Sequence, residues 1–260
     1  MRISRYLLGG CVAGVIADQV PLVGDYNCEH PPYQVLMVSK SPRVIYITDF
    51  LTPEERSHLQ NVTQNSFTRS HVASRAGAAK HAVRTSQSTL VPRDAIVRCI
   101  ETRALAFQGY DTPRRNLEPL QLVKYGPTEH YHYHTDWFLS QENASPQAGG
   151  NRVSSFFAYV QVANDTTGGG TNFPHLDPPA DARWCEMGIV DCDDEYDRGV
   201  TFRPVEGNAI YWENLRSDGS GDERTLHAGL PLTGGGKIGM NIWTREMALS
   251  EDVRGRDYYP

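Results

Sequence analysis

From Leu120 to Arg245 the chain reads as a run of short strand-like segments, and that run limits the fold more than any other feature. The segments are QLVKY (121–125), HYHYHTDWF (130–138), SSFFAYVQV (154–162), GVTFRPV (199–205), AIYWEN (209–214), TLHAGLPL (225–232) and IGMNIWTR (238–245). They are rich in β-branched and aromatic residues, and Gly, Pro, Asn and Asp separate them. Their spacing is irregular and no internal repeat is present, which suits a β-sandwich or jelly-roll barrel. Helical patterning is confined to the first half. VIYITDF (44–50) is a strand, and LTPEERSHLQNVTQ follows it with Thr52 as N-cap, Pro53 at N1 and two glutamates in the first turn. Leu51, His58, Leu59 and Val62 form its expected inner stripe. A second helix is expected over Arg93–Ala106, with Ile96, Val97, Ile100 and Leu105 at helical spacing. The fold class is therefore α+β with a mainly β core in one domain.

The first residues differ from the rest. MRISR precedes the uncharged run Tyr6–Ala17, which is short for a membrane span. A basic start, an apolar centre and small residues describe a signal peptide or short anchor over residues 1–17. An extended leader is expected over 18–40, the catalytic or binding domain over 41–247 and a tail over 248–260. Asn61, Asn143 and Asn164 open N-glycosylation sequons. Without Cys11, four cysteines remain, Cys28, Cys99, Cys185 and Cys192, enough for two disulfides in any of three pairings. Cys185 and Cys192 are near enough in sequence to staple a local loop. These features point to the secretory pathway, in the endoplasmic reticulum lumen or outside the cell. The membrane is a partner only if the N-terminal segment stays as an anchor. A net charge of −6 without a dense Lys/Arg block excludes nucleic acid as a partner.

EHYHYHTDWF places His130, His132, His134 and Asp136 on one parity of a strand. They cannot share one ion, because at about 3.3 Å per residue the ends lie roughly 20 Å apart. Only neighbours two apart can chelate together. The pair is His132 with His134, or His134 with Asp136. His227, in a strand-like context, is the best third ligand; His175 lies in a loop and His58 on a helix. His134, Asp136 and His227 would suit a non-haem Fe(II) oxygenase. His132, His134 and His227 would suit Zn or Cu.

The surrounding blocks resemble the prolyl 4-hydroxylase family of 2-oxoglutarate- and Fe(II)-dependent dioxygenases. The resemblance runs from about Ser41 to Arg245 through SPRVIYITDFLTPEE, RTSQSTLVPRD, EPLQLVKYGPTEHYHYHTDWF, GGGTNFP, RPVEGNAIYWEN, TLHAGLPL and GGGKIGMNIWTR. It implies a double-stranded β-helix, or jelly roll, with supporting helices ahead of it. It puts His134 and Asp136 on the metal-binding His-x-Asp pair and His227 on the distal histidine. Lys237 falls on the lysine that pairs with the far carboxylate of 2-oxoglutarate, Tyr125 on a tyrosine that donates to the same carboxylate, and Thr171 on the wall of that pocket. Arg84 falls on a loop over the substrate groove. Trp243 falls near the site's mouth, as a substrate contact or a core residue. The implied reaction consumes O2 and 2-oxoglutarate, releases succinate and CO2 and hydroxylates an unactivated C–H bond, with ascorbate keeping the iron reduced. A peptidyl proline is the expected substrate; a free amino acid or other small molecule is the alternative. A non-catalytic binding protein would have no use for this full set of residues. The chain departs from the family at Gly170, where an acidic residue is usual, at Asn241, where threonine is usual, and in the acidic insertion 175–198.

Overall fold

The computed structural model describes residues 26–30, 32–70, 84–109, 111–178, 183–193 and 199–255. The expected signal or anchor over 1–17 lies outside them. Among the described residues no helix is long and apolar enough to cross a membrane.

Helix α1 (Pro53–Thr63) starts as its sequence predicts: Thr52 accepts from the Glu55 N–H at 3.1 Å, and Glu55 accepts from the Thr52 N–H at 2.9 Å. Its buried face is Glu55, Leu59 and Thr63, and Val62 turns outward, contrary to the expected stripe. Glu55 displaces Val62 from that role because it pairs with Arg103 on helix α2 (Ala95–Gln108) through two 2.7 Å bonds. Helix α2 begins two residues later than expected because Asp94 is its N-cap, accepting from the Val97 N–H.

The strands are β1 (Val35–Lys40), β2 (Arg43–Ile47), β3 (Thr68–Arg69), β4 (Gln87–Leu90), β5 (Gln121–Tyr125), β6 (Tyr131–His134) and β7 (Arg152–Val162). They continue with β8 (Thr167–Gly168), β9 (Thr171–Phe173), β10 (Val200–Phe202), β11 (Ala209–Glu213), β12 (His227–Gly229), β13 (Leu232–Gly234) and β14 (Lys237–Arg245). An eight-stranded antiparallel sheet runs β1-β2-β11-β7-β14-β5-β4-β3, and a four-stranded sheet runs β10-β9-β12-β6. A separate two-stranded pair is formed by β13 and β8.

The large sheet is covered on both faces, which explains why β7 reads as nearly continuous apolar sequence. Alternate residues go to different layers. Ile45, Ile47, Phe156, Ala158, Ala209 and Tyr211 pack against the helices, while Val44, Tyr46, Phe157, Tyr159, Ile210 and Trp212 face the small sheet. There Trp212 and Tyr46 meet Phe173 and Phe202, with ring centroids 5.3 Å and 5.8 Å apart. The two sheets and the aromatic layer between them form the jelly roll.

The first and last of the described residues are more firmly built in than the sequence suggests. Residues 35–40, expected in the leader, are the edge strand of the large sheet, and Cys28 is disulfide-bonded to Cys99 of α2. Leu249 and Arg254, expected in the tail, are buried, with Arg254 donating to the Leu117 carbonyl. The second disulfide, Cys185–Cys192, staples the acidic insertion between β9 and β10.

Candidate active site and metal centre

His134 is the last residue of β6 and His227 the first of β12, and the two are direct cross-strand partners. Asp136 lies two residues past the end of β6, in a bend rather than on the expected longer strand. The donor atoms of the three all lie within 4.8 Å of one another.

A bulge overturns the expected alternation along HYHYH. His227 pairs with His134 but Gly229 pairs with Tyr131, so β6 holds one residue more than β12 over this interval. Tyr131 and His134 therefore share a side, their rings stacked at 3.6 Å. His132 turns out to solvent, and its Nδ1 accepts from the Tyr133 N–H. Asp136, and not His132, is the residue that the fold brings beside His134 and His227. His130 is held at the strand's edge by its backbone bonds to Thr85 and is outside the cluster.

Hydrogen bonds orient all three donors. The Nδ1 atoms of His134 and His227 lie 2.8 Å and 2.9 Å from the carbonyls of His132 and Thr225. A carbonyl only accepts, so each Nδ1 carries the proton and each Nε2 presents a lone pair to the cluster. Asp136 Oδ2 accepts from Ser155 Oγ at 2.7 Å and Trp243 Nε1 at 3.0 Å. Its Oδ1 has only longer contacts, at 3.9 Å, to His134 Nε2 and Arg152. Burial, then the neighbouring His227, holds His134 well below the ordinary imidazole range. Burial opposes ionisation of Asp136, but His227, Arg152, His134 and the Ser155 hydroxyl outweigh it and keep the carboxyl low. Two imidazoles and a carboxylate, converging on an open cleft, fit a non-haem Fe(II) ion.

The cleft has a volume of about 910 Å³ and runs from this cluster to the surface. Tyr125, Phe157 and Thr171 line it on the barrel side. Behind Tyr125 and Phe157 sits Lys237, the cross-strand partner of Tyr125, with Nζ 5.0 Å and 6.0 Å from their ring centroids. Lys237 is only 2% exposed and donates to the Gly169 carbonyl; among the described residues no carboxylate pairs with it. Burial pushes its ammonium down to about 7. A buried cation with no counter-ion is the complement of an anionic ligand. Burial pushes the Tyr125 phenol up to about 12, so at neutral pH it is a donor. Thr171 is hydrogen-bonded to the Tyr159 hydroxyl at 2.8 Å.

Toward the mouth, Arg84 is buried with its guanidinium 4.5 Å over the Tyr131 ring and Nε bonded to Ser86. It lines the cleft. Trp243 belongs to neither of its two expected roles alone: its indole N–H holds Asp136, and Arg152 stacks on its ring at 3.6 Å. Arg152 in turn is clamped by both oxygens of Glu118 at 2.8 Å. Ser155, Arg152 and Glu118 escape sequence reading. The one signal was a pair of serines opening an otherwise apolar strand. The Gly170 departure also has a structural reason, since a Cβ there would meet Thr201 Cγ2 at 2.5 Å.

Residues 120–245 match the family model of the 2OG-Fe(II) oxygenase superfamily. The chain is 31% identical to prolyl 4-hydroxylase 1 of Arabidopsis thaliana over 220 residues, 82% of this chain and 72% of that one. It is 33% identical to prolyl 4-hydroxylase 5 of the same plant over 215 residues, 80% of this chain and 70% of that one. In fold it is similar to the viral collagen prolyl hydroxylase of Paramecium Bursaria Chlorella virus-1 in its 2OG complex. That likeness has a TM-score of 0.56 at 21% identity and covers 78% of this chain and 95% of that one.

Proposed function

This chain belongs to the prolyl 4-hydroxylase family of the 2OG-Fe(II) oxygenase superfamily, and from that premise we propose how its own residues carry the reaction and on what. The protein is a 2-oxoglutarate- and Fe(II)-dependent dioxygenase that hydroxylates proline. The observation that carries the residue assignment is the convergence of His134, Asp136 and His227 beside a buried, uncompensated Lys237. The first three hold the metal. An Fe(II) ion held there would supply the redox chemistry that links oxidative decarboxylation of 2-oxoglutarate by O2, giving succinate and CO2, to insertion of the second oxygen atom into a substrate C–H bond.

The chain's residues bind and orient around that chemistry. Lys237 Nζ pairs with the far carboxylate of 2-oxoglutarate, and the Tyr125 hydroxyl donates to it. That charge pairing removes the cost of burying either ion alone. Thr171, tied to Tyr159, forms the side of this pocket. Tyr131, Trp137, Phe138 and Trp243 give the outer cleft aromatic walls that exclude water from the reacting carbon.

The substrate is a prolyl residue within a peptide. A cleft of about 910 Å³, with the exposed apolar residues Leu90, Leu139 and Val253 at its mouth, accommodates a chain segment rather than a single amino acid. The buried Arg84 gives the wall a fixed hydrogen-bond donor for peptide carbonyls. Two disulfides suit an oxidising compartment, so the reaction takes place in the secretory pathway with ascorbate as reductant of idle iron. Succinate release with Fe(II), 2-oxoglutarate and ascorbate tests the reading. Proline-rich peptides raise release above the substrate-free rate and free proline does not. Equal stimulation by free proline would instead make this a small-molecule hydroxylase.

A further inference from the structure

We infer that Ser155 is a positioning residue for the metal centre, and that Asn214 makes it one by fixing the direction of its proton. The inference rests on the metal-binding reading above and adds two residues to it.

Ser155 is fully buried on β7, and its hydroxyl oxygen lies 2.7 Å from Asp136 Oδ2 and 2.9 Å from Asn214 Nδ2. A hydroxyl has one proton to give. The Asp136 carboxylate can only accept, so that proton goes to Oδ2. Asn214 must therefore approach Ser155 with its NH2 group, as a donor, which settles the orientation of its amide. Asn214 is itself fully buried at the end of β11, and its Oδ1 has no partner, so only the donor side of this amide is in use. The chain Asn214 to Ser155 to Asp136 thus has a single sense. Together with the Trp243 indole it occupies Oδ2, which lies 3.9 Å from His227 Nε2, and leaves Oδ1, 3.9 Å from His134 Nε2, as the oxygen without a short hydrogen bond of its own. Neither Ser155 nor Asn214 touches the cluster's donor nitrogens; they act through Asp136 alone.

Outer hydrogen bonds of this kind typically change metal affinity by about 10–100-fold when removed. Titration of the whole protein with Co(II), followed by its visible absorption, reads both affinity and coordination. Ser155→Ala is expected to weaken Co(II) binding by about 10–100-fold. Asn214→Asp, which keeps the size but turns the donor into an acceptor, is expected to do the same and to alter the Co(II) spectrum. Asp136→Ala is the control and loses the site. Thermal melting without metal identifies any variant that fails to fold, and the other variant then carries the test. Wild-type affinity and spectrum in the folded variants, with loss in Asp136→Ala, would overturn the inference but not the metal site. Unchanged Co(II) binding in Asp136→Ala as well would overturn both.

Discussion

Arg103 and Lys237 are both buried cations, and the fold treats them in opposite ways. Arg103, under the helices, is met by both oxygens of Glu55 and by the carbonyls of Phe50 and Glu29. Lys237, inside the jelly roll, has one backbone carbonyl and two aromatic rings. A charge whose partner comes from the same chain belongs to the architecture. A charge held in the interior with its partner missing is a cost that the protein bears for a ligand. The contrast distinguishes scaffold from site without reference to any relative.

The contrast breaks if the two positions respond alike to substitution. Glu55→Ala leaves Arg103 uncompensated and is expected to lower stability by about 3–5 kcal/mol, read by chemical denaturation. The KM for 2-oxoglutarate should stay unchanged. Lys237→Ala should do the reverse. Removing one partner of a buried charge pair costs about 2–5 kcal/mol of binding, so the KM for 2-oxoglutarate rises at least about thirtyfold. The unliganded protein is no less stable, since a poorly compensated cation has gone. A destabilised Lys237→Ala protein with unaltered KM would make Lys237 a structural residue like Arg103.

A smaller effect sharpens the same point. Burial lowers the Lys237 ammonium from 10.5 to about 7. Between these values the unfolded chain holds a proton that the folded, unliganded protein does not. This group therefore makes the unliganded protein more stable as pH rises through that window, and its penalty is full below it. On the proposed pairing of Lys237 with the 2-oxoglutarate carboxylate, the ligand needs the protonated lysine, so binding takes up a proton above pH about 7. The KM should then rise by up to about tenfold per pH unit above that point. In Lys237→Met this pH dependence should be flat; a slope that persisted would belong to another group.

Much of this was legible in the sequence, and the misses share a cause. Helix α1 follows from Thr52, Pro53 and Glu55 because caps are local. Spacing alone leaves His132 and Asp136 open as the partner of His134, and the resemblance selects Asp136. What spacing cannot show is the bulge in β6 that turns His132 away, because a bulge depends on pairing with β12, nearly a hundred residues away in sequence. Trp243 and Ser155 reach Asp136 from β14 and β7, so no local pattern announces them. The same holds for residues 35–40, whose strand exists because β2 offers an edge. Val62 was misplaced because the pairing of Glu55 with Arg103, a contact across 48 positions, decides which face of α1 is buried.

The most direct test of the central claim, that His134, Asp136 and His227 form the catalytic metal centre of a peptidyl-proline hydroxylase, is mass spectrometry of a proline-containing peptide after incubation with Fe(II), 2-oxoglutarate and ascorbate. Wild-type protein should add one oxygen atom to a prolyl residue, with one succinate formed for each, and folded His227→Ala protein should add none. A hydroxylated peptide from the His227→Ala protein, or no oxygen gain from the wild type across a broad peptide library, would contradict it.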